Sequence, residues 1–407
     1  MQLGKILFLG GAPFQVPIIK KANEMGFTTI CVDNRKNNPG HKIAKKSYIE
    51  STINKLEILE IAKIEQINGI VSYGSDVALK TQAFVCKNMG LFGPTIESVN
   101  ILANKHQFKL FLSELGIQNQ FNIKFNSSNF LNAKKKAEEF LLQFNSNIFV
   151  KPIDSSGGKG VTKVSDISLL KNAMNLAVEN SLTRNGLIEE SFDQIEDQIC
   201  GDGFILNSKV LFIGLGIGKF IGEIYSPYAE IFPLKLGEKA FLNITKKIET
   251  VLVQAGYKNG PFNLDVLRLK GDEIKFLELA PRCGGNFLSD AIKVSYGIDL
   301  QKALILFSRF GPSGLKANFF KAKKQKNVYN LMLMPTTTGF YTGLKLPENS
   351  MKLMKKNIWI NQGDQVSKFN NGGQYLGNLL FSAKNVMDIQ KFDQQIVESE
   401  YVLIKEK

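Results

Sequence analysis

The apolar and polar positions of this chain alternate between two periods. Lys5–Leu9 is a short apolar run that ends on Gly10–Gly11, and Val16, Ile19, Ala22 and Met25 follow at helical spacing up to Gly26. Thr28–Val32 reads as a second buried strand with Asp33 at its carboxyl end, and residues 67–72 as another after a helix near 56–63. Strand and helix in this order predict a doubly wound βαβ unit over residues 1–95. Its glycines, GGAPFQ, lack the spacing of a dinucleotide site. Gly74–Ser75–Asp76 follows a predicted parallel strand, where open α/β sheets bind ligands and where turns and helix caps also occur.

Beyond Gly93–Pro94 a helix begins near Asn104–Lys105 and runs to Gly116. A strand (121–125), a helix (132–143) and the run Ile148–Phe149–Val150 follow, and that last strand delivers Lys151 into a loop holding Ser155, Ser156, Gly157, Gly158 and Gly160. Glycines there let backbone N–H groups reach phosphate oxygens, the hydroxyls add donors and Lys151 adds a point charge. The order is strand, loop, strand, which differs from a P-loop running into a helix, and a plain hairpin turn has the same composition. Glu189–Glu190–Ser191–Phe192, with Glu196 beyond, reads either as an adenine and ribose contact or as surface acids on a hinge.

The sharpest pattern is NLDVLRLKGDEIKFLELAPRCGG. Asp265 and Glu278 lie thirteen positions apart on two strands joined by a turn at Lys270–Glu273. Both acids are flanked by apolar residues. Two carboxylates at about 4 Å repel by about 4 kcal/mol at an effective dielectric of about 20, so the pair calls for a divalent cation or a shared proton. Phosphates nearby favour magnesium, which takes one or two carboxylates plus phosphate oxygens. Arg282 then supplies a planar, bidentate donor for a carboxylate or phosphate.

Composition narrows the classes. The 407 residues carry a net charge of +14, which fits phosphorylated small molecules as well as nucleic acid or an acidic membrane surface. The lysine clusters Lys134–Lys136 and Lys321, Lys323, Lys324, Lys326 lack interleaved aromatics, so they read as solvated faces, and neither nucleic acid nor membrane is expected as a partner. Cys31, Cys86, Cys200 and Cys283 are widely spaced and only His41 and His106 are present, which excludes a zinc cluster and disfavours a His-based triad. Few thiols and no disulfide framework point to the cytoplasm.

Taken together, Lys105, Lys151 with its glycine loop, the Glu189–Phe192 hinge, Glu196 and the Asp265, Glu278, Arg282 set resemble the ATP-grasp superfamily over nearly the whole chain. Within it they resemble the carboxylate–amine ligase and carbamoyl-phosphate-synthetase-like branch, and the run ELAPR looks most like the purine-biosynthetic carboxylases and formyltransferase. The resemblance implies an α/β architecture: a βαβ domain (1–95), an ATP-grasp domain (96–310, lid about 121–192) with an antiparallel core, and a small β-rich C-terminal domain (311–407).

It further implies that Lys105 and Lys151 hold ATP phosphates under the Ser155–Gly160 loop, that Glu189, Glu190 and Phe192 serve adenine, and that Glu196 serves ribose. Asp265 and Glu278 would bind magnesium, with manganese as an alternative. Lys151 and Arg282 would be catalytic, and Arg282, Gly285, Asn286 and Glu223 would meet the carboxylate and amine substrates. Ala280 stands where such proteins often have a third, Asn, metal ligand. The implied activity is amide formation through an acyl-phosphate. A bicarbonate-dependent carboxylase, an acid kinase and an inactive nucleotide binder of the same fold share these motifs, and a homodimer is common in the branch.

Overall fold

The computed structural model describes residues 3–144, 146–322 and 325–406, so Lys323 and Lys324 of the second lysine cluster lie outside the described residues. Of the first cluster, Lys134 pairs with Glu138 at 2.5 Å across one helical turn.

The N-terminal unit is a parallel four-stranded sheet in the order Lys46–Tyr48, Thr28–Val32, Lys5–Leu9, Gly69–Ser72. Its central strands are apolar and buried on both faces, as parallel strands under helical cover must be. Helix Val16–Glu24 starts with a proline in its first turn and buries Ile18, Ile19 and Ala22.

A second sheet is antiparallel, in the order Asn122–Phe125, Gly186–Glu190, Ile148–Pro152, Thr162–Val164. Helices Phe130–Phe144 and Ile167–Glu179 close it through Ala133, Ala137, Leu170 and Met174. This small layered unit carries Lys151 and the glycine loop.

The third sheet is the chassis. Eight antiparallel strands run in the order Glu273–Ala280, Gly260–Leu269, Ile195–Leu206, Lys209–Lys219, Ala229–Phe232, Asn327–Met332, Gly377–Ala383, Lys352–Ile358. One face packs Ile199, Leu264, Val266 and Leu279 on helix Glu238–Gln254. The other packs on helices Leu288–Tyr296 and Leu300–Phe310, which also meet Ile18, Ile19 and Val71 of the N-terminal unit. Three strands beyond residue 311 thus extend the same sheet. Ala229–Phe232 would otherwise leave a row of unpaired backbone groups, and Asn327–Met332 pairs with it along its length. A separate three-stranded sheet (Gln365–Val366, Gly339–Leu344, Val402–Lys405) and helix Val386–Val397 complete the C-terminal region.

Candidate active site

Asp265 and Glu278 are direct cross-strand partners. Nearer the turn the register pairs Leu269 with Glu273 and Val266 with Phe276, which by itself would set Asp265 opposite Leu277. A bulge resolves this: Leu277 is the extra residue, and Glu278 moves into line with Asp265. Burial, and then the charge of Glu278, push the Asp265 carboxyl well above the usual range. A like-charged pair in register suits one divalent cation. Among the described residues no cluster of three or more Asp, Glu, His or Cys side chains could hold a metal.

Arg282, buried at the end of the same strand, organises the surroundings. Its Nε and Nη2 donate to the two Asp76 oxygens at 2.6 and 2.7 Å, Nη2 also to Glu278 Oε1 at 3.2 Å, and Nη1 to Asn263 Oδ1 at 3.3 Å and Cys283 O at 3.1 Å. Burial works against the guanidinium charge, yet Asp76 and Glu278 keep it firmly protonated. Asp76 belongs to the Gly74–Ser75–Asp76 segment of the N-terminal unit, so the arginine joins two sheets. Burial pushes the neighbouring Cys283 thiol well above its ordinary value, the opposite of what a nucleophilic thiolate needs.

Lys151 is buried and paired with Glu189 on the adjacent strand. Burial opposes ionisation of Glu189, but Lys151 and Lys109 lower its carboxyl below the usual range. Its Oε2 is buried with no hydrogen-bond partner, an acceptor that an adenine amino group would satisfy. Glu190 Oε2 accepts from Phe121 N at 3.2 Å, and Lys275 stands 5.3 Å over the Phe192 ring. Glu196 is the extra residue of a second bulge, exposed, and 3.3 Å from Arg268.

Lys105 Nζ donates to Ser155 O at 2.6 Å and so ties helix Lys105–Glu114 to the loop. Gly157, Gly158 and Gly160 have φ of +67°, +72° and +70°, a backbone that only glycine adopts without strain. Gly157 O accepts from Ser226 Oγ and from Gly372 N, both at 2.8 Å, so the loop is docked on the eight-stranded chassis and the C-terminal region.

Several groups of this site escaped the sequence reading. Lys109, one turn after Lys105, is fully buried and donates to Phe276 O at 2.6 Å; burial lowers its ammonium to about 8. Asp202 accepts from Gly284 N (2.7 Å), Ser289 Oγ (2.9 Å) and Asn263 Nδ2 (3.0 Å), and burial raises it to about 6. Glu230 is 3% exposed and raised by burial to about 8. Asn330 Nδ2 donates at 2.9 Å both to Glu230 Oε2 and to Asn286 O; Asn378 donates to Asn330 at 2.6 Å, and Asn357 to Asn378 at 2.7 Å. An acid inside an otherwise apolar strand, as in ICGDGFIL and YAEIF, was the available signal. Glu223 is exposed on the loop whose Tyr225 and Ser226 meet Gly157 and Gly158, while Gly285 faces open space beside Asn286. The structure brings Lys105, Asp265, Glu278 and Arg282 together with the loop, and leaves Glu196 and Glu223 at its solvent margin.

No protein-family profile matches the chain. Curated relatives include the formate-dependent phosphoribosylglycinamide formyltransferase of Nitratiruptor sp., 24% identical over 282 residues (68% of this chain and 69% of the relative). The enzyme of the same name from Francisella tularensis subsp. novicida is 27% identical over 293 residues, covering 68% and 70%. Among solved structures, L-amino acid ligase from Bacillus licheniformis superposes with a TM-score of 0.80 at 14% identity, over 99% of both chains. Fold and relatives agree: the chain has the fold of these ATP-dependent ligases, and its sequence is similar to the formate-dependent phosphoribosylglycinamide formyltransferases over two thirds of its length.

Proposed function

We propose that this protein activates a small carboxylic acid with ATP and joins it to an amine, with ADP and phosphate released. The observation that carries the reading is the bulge-aligned Asp265 and Glu278 pair with Arg282 one step beyond. Magnesium bound there would neutralise the two carboxylates and the phosphate oxygens. Lys105 and Lys151 orient the phosphates, and the Ser155–Gly160 loop excludes water above them. Glu189 Oε2 and the Glu190–Phe192 backbone take adenine, and Glu196 takes ribose.

A substrate carboxylate oxygen forms a bond to the γ-phosphorus while ADP leaves with the bonding pair. The neutral amine nitrogen then attacks the acyl carbon, phosphate leaves with the bonding pair of the acyl C–O bond, and the proton lost from nitrogen passes to the departing phosphate. Arg282 steadies the oxyanion between these steps. Gly285 and Asn286 border the acyl group, and Glu223 is assigned to the amine. The setting is the cytoplasm, in keeping with four free, buried cysteines and, among the described residues, no helix long and apolar enough to cross a membrane. A homodimer completes the proposal, as in the biotin carboxylase domain dimer of Hydrogenobacter thermophilus 2-oxoglutarate carboxylase, a structure of the same fold.

The test is magnesium-dependent ADP and phosphate release across pools of acids, with and without pools of amines. Release that needs one acid and one amine together supports the ligase. Release with bicarbonate alone, or with an acid alone, replaces it by a carboxylase or a kinase.

A further inference from the structure

A cavity of about 590 Å³ opens beside Glu278, and beyond Lys105, Ser155, Ser156 and Glu278 its lining residues have no part in the ATP or metal roles above. Its inner end is formed by Asp76, Lys105, Ser155 and Glu278. Phe84, Ile96, Val99, Leu102 and Phe108 from the N-terminal helices, with Ile153 from the loop side, make its walls apolar. Glu190, Phe192 and Glu196 do not line it, so it is distinct from the adenine and ribose positions. The volume lies within the range of small-molecule pockets, about 300–1,000 Å³.

The mouth carries a second observation. Ile53, Val77 and Leu182, from three separate segments, are 54%, 41% and 68% exposed and converge on this one opening. A single exposed apolar side chain is ordinary, but a cluster of them around a concave site marks a place that apolar matter covers. Lys55 and Lys80 border the same opening, and Lys55 Nζ lies 5.1 Å over the Phe84 ring. The cavity therefore has largely apolar walls, lysines at its mouth, and at its inner end Lys105 together with Asp76 and Glu278.

We propose that it holds the organic body of the carboxylic acid substrate: an acid with an aliphatic or aromatic tail, its carboxylate beside Lys105 at the phosphoryl end and its tail against Val77, Phe84, Ile96 and Val99. This rests on the ligase reading and names its substrate class. An acid without a tail would leave the volume to water.

The test uses two probes, 8-anilinonaphthalene-1-sulfonate fluorescence and its displacement by octanoate, on the wild type, Val77→Asp and Val77→Lys. Val77 is partly exposed, so both variants should fold, which an unchanged melting curve checks. Octanoate affinity should fall tenfold or more in both, because opposite charges with the same effect identify the lost apolar contact as the cause. In ADP-release assays on straight-chain acids of two to ten carbons, KM should fall with chain length in the wild type and not in the variants. Octanoate affinity unchanged in both variants overturns the inference. ADP release indifferent to chain length also overturns it while the ligase reading stands. Octanoate binding that the variants abolish, with no acid supporting ADP release, keeps the cavity assignment and removes the ligase reading.

Discussion

Asp76→Ala isolates the junction between the parallel sheet and the eight-stranded sheet. The change deletes both acceptors of the Arg282 fork, at 2.6 and 2.7 Å. The guanidinium that remains is 6% exposed and keeps Glu278 at 3.2 Å, Asn263 at 3.3 Å and the Cys283 carbonyl at 3.1 Å. Removing one partner of a buried ion pair costs about 3–5 kcal/mol. Because the Asp76 side chain is 23% exposed and Glu278 still pairs with the arginine, the low end applies, about 3 kcal/mol. Asp76→Asn, which keeps one acceptor, should lose roughly half of that.

The pH dependence has a definite sign. Burial opposes ionisation of Asp76, but Arg282 wins and lowers its carboxyl below the ordinary value. A lowered folded-state pKa contributes stability that is present above the unfolded value, about 4, and is lost as pH falls through the folded one. The gap between wild type and Asp76→Ala in urea unfolding should therefore be full at about pH 7 and shrink toward about pH 3. A gap below about 0.5 kcal/mol at pH 7, or one that widens in acid, would refute the argument.

Three further changes probe other parts of the site. Glu278→Gln should lower turnover about a hundredfold or more and leave the melting temperature near that of the wild type; undiminished activity would sink the metal assignment. Gly158→Ala puts a Cβ 2.9 Å from Tyr225 O on a backbone at φ +72°, so thermal unfolding should show a loss of about 1–2 kcal/mol and the KM for ATP should rise, with an unchanged KM counting against the docked loop. Glu230, raised from about 4.5 to about 8, destabilises the fold increasingly as pH climbs between those values, by roughly 2–4 kcal/mol at the top of the window; Glu230→Gln should flatten that slope in denaturant titrations at pH 5 and pH 8, and an unaltered slope would contradict it.

Lys105, Lys151 and the glycine loop are legible in the sequence because each sits beside a turn or at an element's end, and Asp265 and Glu278 because each acid interrupts an apolar strand. A position that depends on distant chain is not legible in this way. Leu277 looks like any apolar strand residue, so the bulge that aligns Glu278 with Asp265 leaves no local mark. Lys109, four residues from Lys105, reads as part of a solvated helix face, yet it is buried and donates to Phe276 O on the edge strand, 167 residues away. Asp76 was legible as the ligand-facing end of a parallel strand, whereas its partner lies 206 residues later. Glu230 is buried and Glu223 exposed because strand Ala229–Phe232 pairs with Asn327–Met332, a pairing that the local sequence around either acid does not show. That same non-local pairing hid the continuity of the chassis across residue 311.

The asparagine row that leads from Glu230 through Asn330 and Asn378 to Asn357 behaves as a polarity wire. Each amide must turn its N–H₂ toward the oxygen ahead of it, so the orientation of one fixes the next, and the last member sits on the edge strand Lys352–Ile358. Reversing any one amide would aim a carbonyl at the Glu230 carboxylate or strand a donor in the row. The proton affinity of that acid is thus set partly from the far edge of the sheet. Grafting the C-terminal third of a relative onto this chain would therefore retune the acid along with the graft.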